Sequence, residues 1–221
     1  MLELFPDAAR VPTLVTPVES FYSLVSETAQ RLPVDQTEAL ARRLAELRDR
    51  RGRLFVLGVG GSAANASHAV NDFRKLCGIE TYAPTDNVAE LSARTNDEGG
   101  ETTLVEWLRT SRIGDRDAVL VLSVGGGDAE RGVSVNLIRA MDEAQARGAT
   151  VLAIVGRDGG HAARIADVAV IVPTLDASLV TPIAESFQSV ILHCLVSEPS
   201  LALGSAKWEG LDSAVAAGPA T

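Results

Sequence analysis

Cysteine is scarce: the 221 residues hold two, Cys77 and Cys194. Two thiols make no disulfide framework, and their spacing matches no zinc motif. Both fall in apolar helical stretches, where small buried side chains are expected. The N-terminus lacks a basic segment followed by an apolar core, so no signal peptide is expected. No apolar run reaches the length of a bilayer span, and a membrane partner is not expected. Excess positive charge is missing too. Lys and Arg total 20 against 29 Asp and Glu, a net charge of −9. Nucleic-acid surfaces are normally basic, so that class of partner is set aside. Net charge does not argue against a phosphate ligand, which a local nest of N–H groups can hold. These absences leave a cytoplasmic protein. At 46% hydrophobic residues, it has material for one ordinary core plus a helical extension.

What is present is an alternation of strands and helices. Residues 1–16, with Pro6 and Pro12, form an arm. Val18–Leu32 and Asp35–Arg51 have apolar residues at helical spacing and are separated by Pro33, with Asp35 and Glu38 resembling a capping box. Their apolar faces need a partner, which such extensions often find in another subunit. Strands are expected at Arg53–Leu57, Ile79–Tyr82, Ala118–Ser123, Thr150–Val155 and Val168–Val172. Helices are expected at Ser62–Cys77, Asn87–Thr95, Thr102–Ser111, Ser134–Arg147, His161–Ala166 and Pro182–Ser197. The strands are continuous Val/Leu/Ile runs, which suits a parallel sheet covered on both faces. The fold class is therefore α/β, a doubly wound parallel sheet flanked by helices, with an N-terminal helical extension. The expected divisions are an arm and oligomerisation helices at 1–51, a ligand-binding domain at 52–200 and a tail at 201–221. Trp107 and Trp208 are expected in packing or interfaces, and His161 at the surface.

Ligands of such sheets bind beyond the carboxyl ends of the strands. Three of these ends carry Gly or Ser: Gly58–Ser62, Ser123–Gly127 and Gly156–Gly160. In the first, Gly58-Val59-Gly60-Gly61-Ser62 leads from strand to helix. Glycines let the backbone approach a ligand, and free helix N–H groups point at it, which makes a phosphate seat. Ala63 stands where a third glycine of GxGxxG would fall, and no fitting acid follows the second strand, so a dinucleotide ranks low. The same helix carries His68 and Asp72 four residues apart, on one face.

These strand ends, with Ser134-Val135-Asn136-Leu137-Ile138 and Gly156-Arg157-Asp158-Gly159-Gly160, resemble the sugar isomerase (SIS) domain. Within it, Gly58-x-Gly60-Gly61-Ser62 followed by His68, and Asn96-Asp97 before a helix, resemble the phosphoheptose isomerases over roughly residues 18–197. The resemblance implies a homotetramer with active sites between subunits, converting sedoheptulose 7-phosphate to an aldoheptose 7-phosphate. It implies that Gly60, Gly61, Ser62, Asp97, Ser123, Gly125, Ser134 and Glu185 contact substrate. It also implies that His68, Asp72, Glu185 and His193 can bind Zn²⁺. This chain departs from the pattern with Asp72 for a glutamate and Glu185 for a glutamine; Gln188 is an alternative if the register shifts. Its second loop, Ser123 to Ser134, is longer than the family's Ser-Thr-Ser-Gly-Asn-Ser and has lost a serine. Glycine N–H groups or Arg131 are candidates to replace that hydroxyl, and Asp128 and Glu130 are expected to point away.

His, Asp, Glu and His form a plausible nitrogen/oxygen set for Zn²⁺. Glu185 and His193 stand about 12 Å apart along a continuous helix, near the combined reach of both side chains. Asp72 and His193 are the acid/base candidates for proton transfer through an enediol. Asp86 and Asn87 either cap a helix or contact sugar hydroxyls, and Asp158 serves its turn. A non-catalytic sugar-phosphate-binding module, or an isomerase of another sugar phosphate, remain the alternatives.

Overall fold

A computed structural model describes residues 16–204. The N-terminal arm up to Val15, the tail beyond Gly204 and Trp208 lie outside the described residues.

Two helices come first, α1 (Pro17–Gln30) and α2 (Val34–Asp49). The capping box is on α1, where the Thr16 side chain accepts from the Glu19 N–H and Glu19 answers to the Thr16 N–H. The expected box at Asp35 and Glu38 does not form: Pro33 is the N-cap of α2 and Asp35 already lies in its first turn. The alternating part follows as β1 (Arg53–Leu57), α3 (Gly61–Cys77), β2 (Glu80–Tyr82), α4 (Val88–Asp97), α5 (Thr103–Thr110), β3 (Ala118–Ser123), α6 (Val135–Ala146), β4 (Thr150–Val155), α7 (Gly160–Ile165), β5 (Val168–Ile171) and α8 (Val180–Ser197).

The sheet has five parallel strands in the order β2-β1-β3-β4-β5. The order reverses between β1 and β3, so the crevice beyond their carboxyl ends is the expected ligand position. Strand side chains alternate between two cores. Leu54, Val56, Leu120, Leu122, Leu152 and Ile154 pack on one face with α2, α3 and α8. Phe55, Leu57, Val119, Val121, Val151 and Ala153 pack on the other with α5 and α6. The stripe of α2 (Leu40, Ala41, Leu44, Leu47) is fully buried within this chain. On α1, Phe21, Leu24 and Val25 reach the same core while Val18 and Tyr22 stay exposed.

Three expectations need correction. The stretch Ala177–Ser197 is long and apolar enough to cross a membrane by length and composition. Its apolar side, however, carries Ile183, Phe187, Ile191 and Leu195 into the core. Cys194 is exposed, because it lies on the side of α8 away from that core, whereas Cys77 is buried. Burial pushes the Cys77 thiol up to about 11. His161 is mostly covered, with its Nε2 2.7 Å from Asp142 Oδ1.

The base of the sheet is held by Asp117. Its carboxylate takes hydrogen bonds from the Arg53 guanidinium (2.7 and 3.1 Å) and from the N–H groups of Arg53 and Gly114. Burial works to raise its pKa, but the Arg53 pair and the two N–H donors outweigh it and hold it below the usual carboxylate range. A depressed carboxylate contributes stability at neutral pH that is lost as pH falls through its folded value. Asp117→Asn should therefore cost about 2 kcal/mol at pH 7. In urea unfolding, the gap between variant and parent should close as the pH falls through the lowered folded value of Asp117, below the usual carboxylate range. A gap that persists there would remove the carboxylate from the account.

Candidate active site

Helices α3 and α8 run side by side in the same direction. Along their contact, Ser62 meets Gln188, Asn65 meets Ser189, and His68 meets His193. Such a polar seam is costly unless each member is satisfied. Here Gln188, fully buried, donates to Ser62 Oγ at 3.0 Å and accepts from Asn65 Nδ2 at 2.9 Å. Asn65 also donates to the Glu185 carbonyl at 2.9 Å, and Ser189 donates to Asn65 Oδ1 at 2.8 Å. Gln188 thus fixes Ser62 on α3 rather than joining the histidines.

One to two turns further on, three donor atoms converge. His68 Nε2 lies 3.0 Å from Asp72 Oδ2 and 3.1 Å from His193 Nε2, and His193 Nε2 lies 3.7 Å from Asp72 Oδ2. Metal–ligand bonds of 2.0–2.2 Å set tetrahedral edges at roughly 3.3 Å, so the triangle has the size of one face of a zinc tetrahedron. The donor set, two imidazoles and a carboxylate, suits Zn²⁺ as well. His68 and His193 are each 56% exposed in their side chains and Asp72 13%. The fourth direction is open.

Glu185 does not complete this set. The three close donors are His68, Asp72 and His193. α8 is unbroken from Val180 to Ser197, so Glu185 stays two turns away. Its carboxylate occupies the space where a Cβ on Gly61 would stand.

The second part of the site is a cavity of about 720 Å³ beyond β1, β3 and β4. Ser62, Ser123, Gly125 and Ser134, four of the residues expected to contact substrate, line it. Gly60 and Gly61 do not, so the first glycine turn contributes Val59 and Ser62 alone. The reason is steric: Glu185 covers Gly61. Ser123 Oγ accepts the Gly126 N–H at 3.1 Å and shapes the second loop. Ser134 sits at φ 53° ahead of α6 and makes no capping bond, which frees its hydroxyl for a ligand. Between them the longer loop closes as a small hairpin, with Asp128 and Val133 exchanging backbone bonds of 3.0 and 2.9 Å. Arg131 is taken up inside it. Its N–H donates to Asp128 Oδ1, and its guanidinium stands 3.6 Å from Oδ2. Asp128 and Glu130 also line the cavity, contrary to expectation, because the hairpin folds over the opening.

Asp97 lies apart. It ends α4, is exposed, and accepts from Asn96 Nδ2 at 2.7 Å. Asn87 caps α4 through the Glu90 N–H, and Asp86 accepts a hydrogen bond from the Ser67 hydroxyl of α3. Asp158 accepts from the Gly160 N–H and so serves its turn. Sequence reasoning missed Asn65, which bridges α3 and α8. Its position three residues before His68, on the same face, was the available signal.

Strand order, a polar cavity at the switch point and a nitrogen/oxygen triad define an α/β enzyme domain. The family model for the SIS domain matches residues 20–156. The lincomycin biosynthesis protein LmbN of Streptomyces lincolnensis is 32% identical over 200 residues, 85% of this chain and 71% of that protein. A phosphoheptose isomerase of Nitratiruptor is 32% identical over 150 residues, 66% of this chain and 74% of that protein. The phosphoheptose isomerase of Neisseria gonorrhoeae shares the fold, with a TM-score of 0.70 at 24% identity over 81% of this chain and 95% of that one. The chain belongs to the SIS domain family, among its phosphoheptose isomerases, and is an aldose–ketose isomerase acting on a sugar phosphate.

Proposed function

We propose that the protein interconverts sedoheptulose 7-phosphate and an aldoheptose 7-phosphate in the cytoplasm, feeding heptose biosynthesis. The observation that carries this is the meeting of His68, Asp72 and His193 on the same helix pair whose Ser62 lines the polar cavity. Ser62 and His68 are six residues apart, about 9 Å along α3. That spacing suits an extended sugar chain with its phosphate in the cavity and C1 and C2 at the triad. Phosphate is held by Ser62, Ser123 and Ser134, and Glu185, which covers Gly61, is left for sugar hydroxyls.

The reaction moves two protons, one from C1 to C2 and one from O1 to O2. A base takes the first from C1, the electron pair forms the C1=C2 bond, and the C2 carbonyl oxygen is protonated to give the enediol. The O1 proton then leaves, C1=O forms, and C2 takes up a proton. Asp72, the least exposed of the three, is placed to carry the carbon-bound proton, and His193 the oxygen-bound ones. His68 Nε2 lies within hydrogen-bonding distance of both Asp72 Oδ2 and His193 Nε2 and orients them. His68, Asp72 and His193 would hold a Zn²⁺ ion, which would supply Lewis-acid polarisation of the substrate carbonyl. A residue that ligates the ion is not at that moment a free base, so the metal-bound and metal-free schemes give Asp72 and His193 different work.

A homotetramer with active sites between subunits forms part of this proposal. The triad is open to solvent in one chain, and carbanion-like chemistry needs water kept out. Exposed Val18, Tyr22, Val34 and Val190 offer an apolar surface on α1, α2 and α8 for the neighbouring subunit. Convergence of Asp72 and His193 favours catalysis over a purely regulatory module.

The test is incubation with sedoheptulose 7-phosphate, with and without chelator, followed by NMR of the product. The expected result is an aldoheptose 7-phosphate, with activity lost on chelation and restored by Zn²⁺. No conversion would refute the substrate, and conversion untouched by chelator would refute the metal.

A further inference from the structure

We propose that Arg157 binds the substrate's phosphate, occupying the space that Gly125 leaves open in the cavity wall. This rests on the sugar-phosphate reading of the site.

Four non-glycine residues among those described have left-handed backbone: Arg51, Arg112, Ser134 and Arg157. Arg51 and Arg112 directly follow the C-caps of α2 and α5, where such a residue is ordinary. Ser134 and Arg157 have no such role, and both line the same cavity. Strain of this kind persists where surrounding structure enforces it, most often at functional sites.

The surroundings of Arg157 do enforce it. It follows β4 in a turn closed by the Gly159 N–H on the Gly156 carbonyl at 3.0 Å, and its own N–H donates to Thr174 Oγ1 at 3.1 Å. A turn that needs φ of 54° at this position favours Gly, Asn or Asp. The side chain is what the strained backbone delivers. Arg157 Cδ lies 3.3 Å from where a Cβ on Gly125 would stand, so the stem crosses the phosphate loop over its side-chain-free residue.

Charge points the same way. The described residues give Arg157 no ion pair, while Arg131 is engaged by Asp128. Of the acids on the cavity wall, Asp128 is answered by Arg131, Asp158 by the Gly160 N–H, and Glu130 sits on the exposed hairpin. A guanidinium fork fits a phosphoryl group with two parallel bonds and adds charge. It thereby does more than the single hydroxyl that Gly125 cannot supply.

The test uses Arg157→Gly, which relieves the strained φ and so should melt no lower than the parent. Its KM for sedoheptulose 7-phosphate should rise about 10- to 100-fold with kcat nearly unchanged, as for losing a charged hydrogen bond. Inorganic phosphate is the independent probe: the rise in melting temperature it gives the parent should vanish in Arg157→Gly. Arg157→Asn, whose side chain tolerates this backbone, should behave alike. Gly125→Ser in the Arg157→Gly background should recover part of the loss. Unchanged KM and unchanged phosphate protection in Arg157→Gly would overturn the proposal. So would protection lost instead in Arg164→Ala, the third arginine of the wall beside Arg131 and Arg157. If the parent does not turn over the heptulose phosphate, the substrate reading fails, and the phosphate melts still decide the role of Arg157.

Discussion

Asp72→Asn should lower kcat by roughly 10²–10⁴-fold, the range for losing a positioned acid or base. The substitution keeps the shape of the side chain and removes its charge and basicity. Asp72 Oδ2 sits 3.0 Å from one imidazole and 3.7 Å from the other. Without the carboxylate, two Nε2 atoms 3.1 Å apart face each other with no anion to hold a proton or metal between them. His193→Ala should cost a similar factor, and the double variant little more, since residues acting as a unit lose their effects once. Bound zinc should fall in both single variants alongside turnover. Full activity in either would remove the triad from the chemistry; additive losses in the double variant would show two independent roles.

Gly126→Ala should be the most damaging single-methyl change in the crossed glycine loops behind the cavity wall. Gly126 has a φ of 70°, and a Cβ there would run into the carbonyl of Gly159. The obstacle is backbone, held in place by the Ala162 N–H on the Gly126 carbonyl (3.0 Å) and the His161 N–H on the Gly127 carbonyl (2.9 Å). The expected cost is about 3–4 kcal/mol, from left-handed strain plus overpacking. Urea unfolding measures it, and the melting shift with inorganic phosphate should disappear as the two loops part. Gly125→Ala is the control: its backbone is not left-handed and it meets only the flexible stem of Arg157. Equal losses at both positions would mean that the loops are not interlocked.

The strands were readable because parallel strands buried on two faces must be continuous apolar runs. β1, β3 and β4 match their expected bounds to the residue, and the helices shift by one or two positions at their ends. His68, Asp72 and His193 were legible because helical spacing and the family resemblance put them on facing helices. The misses share a cause. Glu185 was expected by resemblance as a fourth metal ligand beside His68, Asp72 and His193, but an unbroken α8 fixes its distance and Gly61 offers it a different seat. The exposure of Cys194 depends on which side of α8 faces the core, and an apolar sequence on nearly all sides conceals that. The hairpin at 128–133, closed by Asp128 and Val133, lies in a stretch whose sequence reads only as a long loop.

The crossing of the two glycine loops behind the cavity wall separates a fixed part from a free part. Gly126, Gly127, Gly159 and Gly160 lock backbone to backbone, while Ala129 to Val133 project into solvent with only one rung of pairing at their base. Natural divergence, or a directed-evolution library, can therefore rewrite those five positions without disturbing the frame. The rim of the pocket is where descendants of this enzyme would acquire new sugars, while the chemistry below it is inherited unchanged.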